Sequence, residues 1–370
     1  MLMTRVLDGK ATMLLVMAAV CVPALVGCGG TNNTSSIPNR TFVYVTDQAS
    51  NDVSGFSVNP SSGMLSPLFR SPFPTGGHPY AIAIDPHNQF AFVLNDPPAL
   101  SVFSLNPATG ELLPLPSSPL SVSGDNRWVA VHPTGTFVYV CDYQGSPAGI
   151  YGWKIDRANN SLVPVPGSPF TSRSRHISFS PGGNFVYSVD FSSVHTLAID
   201  SQTGALTEVG SPASAVAFPL FVSIHPSGKF AYVTYETVSL DFALWEFTID
   251  STTGALQSVG PVPGFGLIVP APFAPLVFHP SGKFGYMARG GLYGYAVDQG
   301  TGNLTLLSGL PSFSAQPLAI AIDTSGKYAY VANGTLDNVS VFAINSDTGA
   351  LSLVQGSSTT PFPSAIATTH

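Results

Sequence analysis

Charged side chains are scarce in this sequence. Only 9% of its 370 residues are Asp, Glu, Lys or Arg, and the formal net charge is -7 because 20 acidic residues outnumber 13 basic ones. A nucleic-acid-binding protein needs a basic surface to neutralise phosphates. The composition therefore excludes nucleic acid as a partner, and any charged residue that interrupts a regular pattern becomes informative.

Cysteine is equally rare, with three in the whole chain. Cys21 and Cys28 lie in an N-terminal segment of unusual composition, and Cys141 stands alone in the remainder. A single cysteine cannot form an intramolecular disulfide. The main body must therefore be held together by buried apolar surface, and we expect Cys141 to be a packed thiol rather than a nucleophile.

The N-terminal segment has the composition of an export signal. Arg5 and Lys10 precede an apolar run from Met13 to Gly27 that is too short for a comfortable membrane span. The last residues of this run and the following Cys28 resemble a bacterial lipobox, in which the cysteine is lipidated and becomes the new N-terminus. The alternative is an ordinary signal peptide with a cysteine at its cleavage site.

We expect a lipoprotein signal peptide over residues 1–27, a flexible tether over 28–39 and one folded domain over 40–370. The protein would then be exported and anchored to the bacterial cell envelope through a lipid on Cys28, at the outer membrane or periplasmic face. Membrane contact is expected through this anchor only, and the folded domain is expected to be a monomer.

Glycine and proline are abundant, with 36 and 33 residues, and they separate short apolar stretches. Each repeating unit contains four such stretches, here named strands A to D, of four to seven residues rich in Val, Ile, Phe and Tyr. The residue that closes strand A recurs at spacings of 47, 48, 45, 54 and 44 residues: Asp85, His132, Ser180, His225, His279 and Asp323. Four strands in about 45 residues is typical of a propeller blade.

Strand A occurs a seventh time at the C-terminus, over residues 363–369, whereas residues 42–45 at the other end of the domain read as a strand B without its strand A. The two ends complete one blade, which closes the ring and removes exposed sheet edges. The sequence therefore predicts an all-β, seven-bladed β-propeller with four strands per blade.

Three histidines, His132, His225 and His279, occupy the same place in their units. They close strand A before a Pro-Ser-Gly or Pro-Thr-Gly turn, where other units have Asp or Ser. Ligands on adjacent blades about 10 Å apart are poorly placed for metal bonds of roughly 2 Å. We interpret the histidines as turn residues and expect no metal and no cofactor.

The A–B and C–D turns are uniform and lie on one face of the disc, so the variable B–C and D–A loops form the opposite face, where function is expected. Polar residues break the repeat there. Arg127 and Arg175 stand early in strand A, where we align other units as Phe221-Val222 or Ala319-Ile320. After strand B come further candidates: Asp47, Asp96, Asp142, Tyr143, Asp190, Tyr235, Glu236, Arg289 and Asn333.

These residues could bind an anionic or polyhydroxy ligand, polarise a carbonyl and activate water. They could equally pair across blades as buried ion pairs that fix register. The long apolar D–A connection from Gly260 to Pro275 could cover the channel mouth or contact a partner.

The repeat Pro-Ser-Gly-Lys-Phe-Ala-Tyr-Val, with Val339–Ile344 and Thr348–Leu351, resembles the seven-bladed propeller lactonases of the 6-phosphogluconolactonase-like family. The resemblance covers essentially the whole mature chain. It implies a site at the channel mouth, with His176 and Glu236 as catalytic residues and Arg127, Arg175, Arg289, Asp142 and Tyr235 as substrate-binding residues. The match is partial, since Arg127 and Leu318 stand where the family has His and Arg.

Two functions follow. The first is a lipid-anchored, lactonase-like hydrolase that acts on a small lactone or sugar-derived ligand. The second is a non-catalytic propeller that binds an envelope protein, as a second resemblance of Tyr44–Asp47 and Tyr330–Asn333 to surface-layer propellers suggests.

Overall fold

The structure is a computed structural model. It describes residues 40–122, 124, 126–170, 173–214, 218–237, 242–263, 275–288, 290–311, 316–359 and 362–370. Every regular element in these ranges is a β-strand, and the strands form seven separate antiparallel sheets. The described part of the chain contains no helix that could cross a membrane. The predicted all-β, seven-bladed propeller is confirmed.

The blades are numbered from the N-terminus, and their strands are given in the order A to D. Blade 1 consists of Pro363–Thr368, Phe42–Asp47, Asp52–Val58 and Leu65–Pro67, and blade 2 of His78–Ile84, Phe90–Asp96, Ala99–Leu105 and Leu112–Pro114. Blade 3 consists of Asn126–Val131, Phe137–Asp142, Gly149–Asp156 and Ser161–Pro164, and blade 4 of His176–Phe179, Phe185–Val189, Ser193–Ile199 and Leu206–Glu208. Blade 5 consists of Phe218–Ile224, Phe230–Glu236, Phe242–Ile249 and Leu256–Pro261, and blade 6 of Val277–Phe278, Phe284–Ala288, Leu292–Val297 and Leu304–Leu306. Blade 7 consists of Pro317–Ile322, Tyr328–Asn333, Asn338–Ile344 and Leu351–Ser358. Three blades add a short strand beside strand C: Phe73–Pro74, Leu120–Ser121 and Ala213–Ser214.

The ring closes as predicted. Pro363–Thr368 pairs antiparallel with Phe42–Asp47, with Val43 opposite Thr368 and Val45 opposite Ile366. The amide of Phe42 donates to Thr369 Oγ1 at 2.8 Å, and the amide of Thr369 donates to the Phe42 carbonyl at 3.0 Å. Thr369 therefore performs in blade 1 the role that Asp85 or His225 performs in other blades.

Apolar clusters fill the seven interfaces between neighbouring blades. Leu94 and Val102 of blade 2, for example, pack with Val129 and Val140 of blade 3. Strand residues alternate in direction, so both faces of each radial sheet contribute to a core. Cys141 lies fully buried in the cluster between blades 3 and 4, as expected for a packed thiol.

A buried tyrosine in strand B links one blade to the C–D turn of the next. Tyr44, Tyr139 and Tyr286 each donate to the carbonyl of a turn glycine at 2.7 Å, namely Gly110, Gly204 and Gly349, and Tyr232 donates to Gly302 in the same way. The hydroxyl would be costly to bury without a partner. The uniform C–D turns of the sequence are thus acceptors for the preceding blade.

The repeated histidines form a second set of inter-blade bonds. The Nε2 atoms of His132, His225 and His279 donate to the carbonyls of Gly183, Gly282 and Gly326 at 2.7–2.9 Å. Their Nδ1 atoms contact the Thr or Ser two residues on, within their own turns. The turn interpretation is supported, and among the described residues no cluster of His, Cys, Asp or Glu could hold a metal ion.

Replacing His225 with Ala is expected to destabilise the domain by about 1–3 kcal/mol, because the buried carbonyl of Gly282 loses its donor. The shift of the denaturant midpoint measures this. His78→Ala is the control, because the side chain of His78, the first residue of strand A in blade 2, is exposed. Equal midpoints for His225→Ala and the wild type would contradict the structural role of this histidine.

Candidate functional site

A cavity of about 1070 Å³ lies on the face of the variable loops. Its lining comes from the B–C and D–A loops, the first residues of strand A and the end of strand B in blades 1 to 5: Gln48, His78, Tyr80, Asn95, Asp96, Pro98, Gly124, Tyr143, Gln144, Arg175, Leu220 and Phe221. None of these residues belongs to an A–B or C–D turn. The variable face therefore carries the large cavity, as the topology predicted.

A β-bulge recurs in strand A, and in blades 2 and 5 its extra residue lines this cavity. The pairing of strands A and B shifts register around Tyr80, Arg127, Leu220 and Leu318, so each of these residues lacks a partner in strand B. A bulge inserts one extra residue and re-aims its neighbours. Counted back five residues from the turn residue that follows strand A (Thr369, Asp85, His132, Ser180, His225 and Asp323), this position is Ser364, Tyr80, Arg127, Arg175, Leu220 and Leu318 in blades 1 to 5 and 7. Our alignment of Arg127 and Arg175 with Phe221 and Ala319 is therefore wrong by one residue.

Arg175 is the arginine among the residues given above as lining this cavity. Its guanidinium lies over the ring of Tyr143, 4.2 Å from the centroid, and 5.1 Å from that of Phe191. Nη2 donates to the Tyr143 hydroxyl at 2.7 Å. Among the described residues no carboxylate forms a salt bridge with Arg175, so its other N–H groups are available to a ligand. Stacking on aromatic rings holds the guanidinium without cancelling its charge.

His176, the next residue, is placed differently. Its side chain is 3% exposed and lies between the rings of Trp128, at 4.3 Å, and Phe221, at 5.2 Å. Burial lowers the pKa of His176 to about 3, so the imidazole is neutral. Nδ1 accepts the Val222 amide at 3.4 Å, which places the proton on Nε2.

Arg175 and His176 also line different cavities. His176 and Trp128 line a smaller one of about 400 Å³ along strands A of blades 3 to 6. Side chains adjacent in a strand point to opposite faces of the sheet, which separates this Arg-His pair. The structure therefore does not bring the two together on one surface.

Asp142 lies fully buried at the end of strand B. Its Oδ1 accepts the amides of Gln144 at 3.1 Å and Gly145 at 2.8 Å, which is the geometry of an Asx turn. Asp190 accepts two amides of its B–C turn in the same way. The contacts described for Asp142 are those of a turn residue, and its role in substrate binding stays a prediction.

Tyr235 and Glu236 are the last two residues of strand B in blade 5, not residues that follow it, because their backbones pair with Pro219 and Phe218. Tyr235 is 8% exposed and packs edge-on against Trp245. Glu236 is half-buried, and its side chain makes no hydrogen bond with another described residue. Neither residue lines the large cavity, although the same blade contributes Leu220 and Phe221 to it.

The remaining predicted residues cannot be placed. Cys28 and Arg289 lie outside the described residues, as do positions 264–274 of the long D–A connection. This connection begins after Pro261, where strand D ends, rather than at Gly260. The backbone of Arg127 is described at the bulge position of blade 3, between those of Tyr80 and Arg175, but its side chain is not described.

Sequence reasoning missed several residues that line the cavity, above all Tyr80, Gln48, Gln144 and Asn95. Tyr80 could have been found from its position, because counting back from the A–B turn aligns it with Arg127 and Arg175. Asn95 could also have been found, because counting from the start of strand B aligns it with Asp47, Asp142 and Asn333. Gln48 and Gln144 stand in B–C loops, for which the repeat provides no register.

One ionisable cluster supports the wall of the cavity. His195 in strand C of blade 4 bridges Asp190 Oδ2, at 3.1 Å, and Glu208 Oε1, at 3.0 Å. The hydrogen bond to Asp190 raises the pKa of His195 above its ordinary value of 6.5. Asp190 begins the B–C turn that carries Phe191, the ring beside Arg175.

We expect this bridge to make stability depend on pH. Because the folded protein holds the His195 proton more tightly than the unfolded chain does, its contribution is complete below pH 6.5 and is lost as the pH rises through the raised pKa. Unfolding midpoints from about pH 5.5 to about pH 8.5 should fall more for the wild type than for His195→Gln. Parallel pH profiles would show that the bridge contributes nothing.

The fold and the cavity define a class: a closed seven-bladed propeller with a ligand-sized cavity on its loop face. A family model described as "Lactonase, 7-bladed beta-propeller" matches residues 222–368. The 6-phosphogluconolactonase of Bacillus subtilis is 25% identical over 202 residues, which cover 52% of this chain and 56% of that protein. The chain thus matches just over half the length of this curated relative.

Solved structures agree in fold. A candidate 6-phosphogluconolactonase from Bacteroides fragilis superimposes with a TM-score of 0.73 at 19% identity, covering 91% of this chain and 99% of its own. A periplasmic gluconolactonase from Pseudomonas aeruginosa gives 0.71 at 18% identity, covering 90% and 99%. The predicted resemblance to the seven-bladed lactonase propellers is confirmed, and the solved structures share the propeller fold of this chain.

Proposed function

We propose that the large cavity binds a small, oxygen-rich ligand, either a lactone or the sugar-derived acid formed when a lactone opens. The observation that carries this proposal is Arg175, a guanidinium held by aromatic rings and without a carboxylate partner among the described residues. Amide and hydroxyl groups of Gln48, Gln144 and Tyr143 surround the same space and suit sugar hydroxyls.

Arg175 also suits the hydrolysis of a lactone. Water adds to the ring carbonyl, negative charge develops on its oxygen, and the ring C–O bond then breaks to leave a hydroxyl and a carboxylate. A guanidinium at that oxygen stabilises both the developing charge and the acid product. The names of the relatives, a 6-phosphogluconolactonase and a gluconolactonase, support this reaction class.

Of the two predicted bases, Glu236 fits the role of activating water better than His176. The imidazole of His176 is neutral and buried, and its Nδ1 already accepts a backbone amide. Glu236 has a half-buried carboxylate with no partner among the described residues. Glu236 ends strand B of blade 5, the blade that contributes Leu220 and Phe221 to the cavity lining.

We expect Arg175→Ala to weaken the binding of gluconate at least about tenfold, because a charge-assisted hydrogen bond is lost. Isothermal titration calorimetry measures this, and Arg173→Ala is the matched control, since Arg173 is exposed and contacts only the outer ring Phe191 among the described residues. Unchanged affinity in Arg175→Ala would contradict the proposed site.

Hydrolysis is tested separately on a panel of sugar and alkyl lactones. If the protein is a hydrolase, Glu236→Gln is expected to abolish turnover while gluconate still binds. Binding without turnover in the wild type would identify a non-catalytic propeller, the second function considered, and a pull-down from envelope extracts would then seek its protein partner.

We further propose that the chain is exported and anchored by a lipid on Cys28. The apolar run to Gly27 and the cysteine that follows it support this proposal. Cys28→Ser is expected to move the protein from the membrane fraction to the soluble envelope fraction. Equal partitioning of the variant and the wild type would contradict the lipid anchor.

A further inference from the structure

The cavity is larger than a single sugar acid needs. Ligand pockets of about 300–1,000 Å³ enclose drug-sized molecules. The volume of about 1070 Å³ lies just above this range, although a hexonic acid such as gluconate is much smaller than a drug-sized molecule. A monosaccharide held at Arg175 would therefore leave much of the cavity to water.

The rest of the cavity lining includes an aromatic ring and polar side chains. Tyr80 and Asp96 belong to blade 2, and blade 3 separates them from Arg175 on blade 4. The Tyr80 ring packs against the apolar cluster between blades 2 and 3, which fixes its orientation, while part of it stays exposed to the cavity. Sugar rings pack their C–H faces on such aromatic surfaces.

Polar acceptors surround this aromatic surface. Asp96 is exposed and pairs with His78 within blade 2, and both residues line the cavity. Carboxylate and amide oxygens accept hydrogen bonds from sugar hydroxyls. This half of the cavity is thus suited to a neutral sugar ring, whereas the half around Arg175 is suited to an anionic group.

We infer that the cavity has two subsites and selects a disaccharide-sized sugar acid or its lactone, with the acid end at Arg175 and a second sugar ring on Tyr80. This inference rests on the proposed function and adds to it the size of the ligand. Tyr80 is the residue that determines this specificity, because it occupies the bulge position of blade 2, where blades 5 and 7 have leucine.

The test compares gluconate with maltobionate, which carries one further glucose ring, by isothermal titration calorimetry. We expect maltobionate to bind at least about tenfold more tightly. Tyr80→Ala should reduce its affinity to that of gluconate and leave gluconate unaffected. Leu318→Ala, at the same bulge position in blade 7 but outside the cavity lining, should change neither affinity.

A second variant tests the same subsite independently in case Tyr80→Ala misfolds. Asp96 is exposed, so Asp96→Asn should fold normally and weaken maltobionate alone. Equal affinities of the two acids in the wild type, or no effect of either variant, would overturn the second subsite while leaving the proposed function in place. Failure of both acids to bind the wild type would overturn both.

Discussion

Deleting residues 363–370 is expected to abolish the cooperative native fold. The deletion removes the inner strand of blade 1, so the backbone of Phe42–Asp47 loses its partners along one edge. It also removes Ile366 from the core between blades 7 and 1 and Ala367 from that between blades 1 and 2. An opened ring exposes strand edges to aggregation, and the combined loss exceeds the roughly 4–5 kcal/mol of the severest single substitutions.

Circular dichroism during heating and size-exclusion chromatography measure this effect. A circular permutant is the matched control: a short linker joins His370 to Arg40, and new termini are opened in the exposed turn between Asn159 and Asn160. The linker can be short because Thr369 and Phe42 are hydrogen-bonded. The permutant keeps every strand and should unfold cooperatively. A truncated chain that melts at the wild-type temperature would show that closure is unnecessary.

The second large effect concerns one of the repeated C–D turns. Gly204 has φ of +78°, and a Cβ built there would lie 2.6 Å from two ring atoms of Phe137 in the preceding blade. Phe137 is 1% exposed and packed in the core between blades 3 and 4, so it cannot move aside cheaply. We expect Gly204→Ala to lose about 3 kcal/mol or more, from left-handed backbone strain and overpacking together.

Gly210 separates these two causes. Its φ of +68° is similar, but a Cβ there would meet no atom within 4 Å. Gly210→Ala should therefore cost only the backbone term, about 1–2 kcal/mol. Denaturant titration of both variants measures the difference. Equal losses would mean that the contact with Phe137 contributes nothing, and that the turn glycine is required by its dihedral angle alone.

The local sequence pattern predicted the parts of this fold that are repeated within each blade. The sequence predicts seven blades from the alternation of its strands and from the turn residues that recur around His225. It predicts ring closure from the unmatched strands at its two ends, because each of them repeats a strand found in the other blades. The same reasoning identified the loop face and Arg175, since a charged residue in an apolar repeat is visible without coordinates.

The candidate site depended on distances between blades, which no local pattern encodes. The sequence placed Arg175 beside His176, yet strand alternation and packing on Trp128 assign them to different cavities. For Asp142 the sequence could not show that the carboxylate also accepts the amides of Gln144 and Gly145 in an Asx turn, and its role in substrate binding stays a prediction.

The sequence by itself therefore determined the architecture, the ring closure and the structural role of the histidines, since all three follow from repetition along the chain. Only the tertiary structure decided which polar residues share one cavity. The bulge in strand A places Tyr80 and Leu220 in the same cavity lining as Arg175, and the curvature of the ring brings blades 1 to 5 around one space.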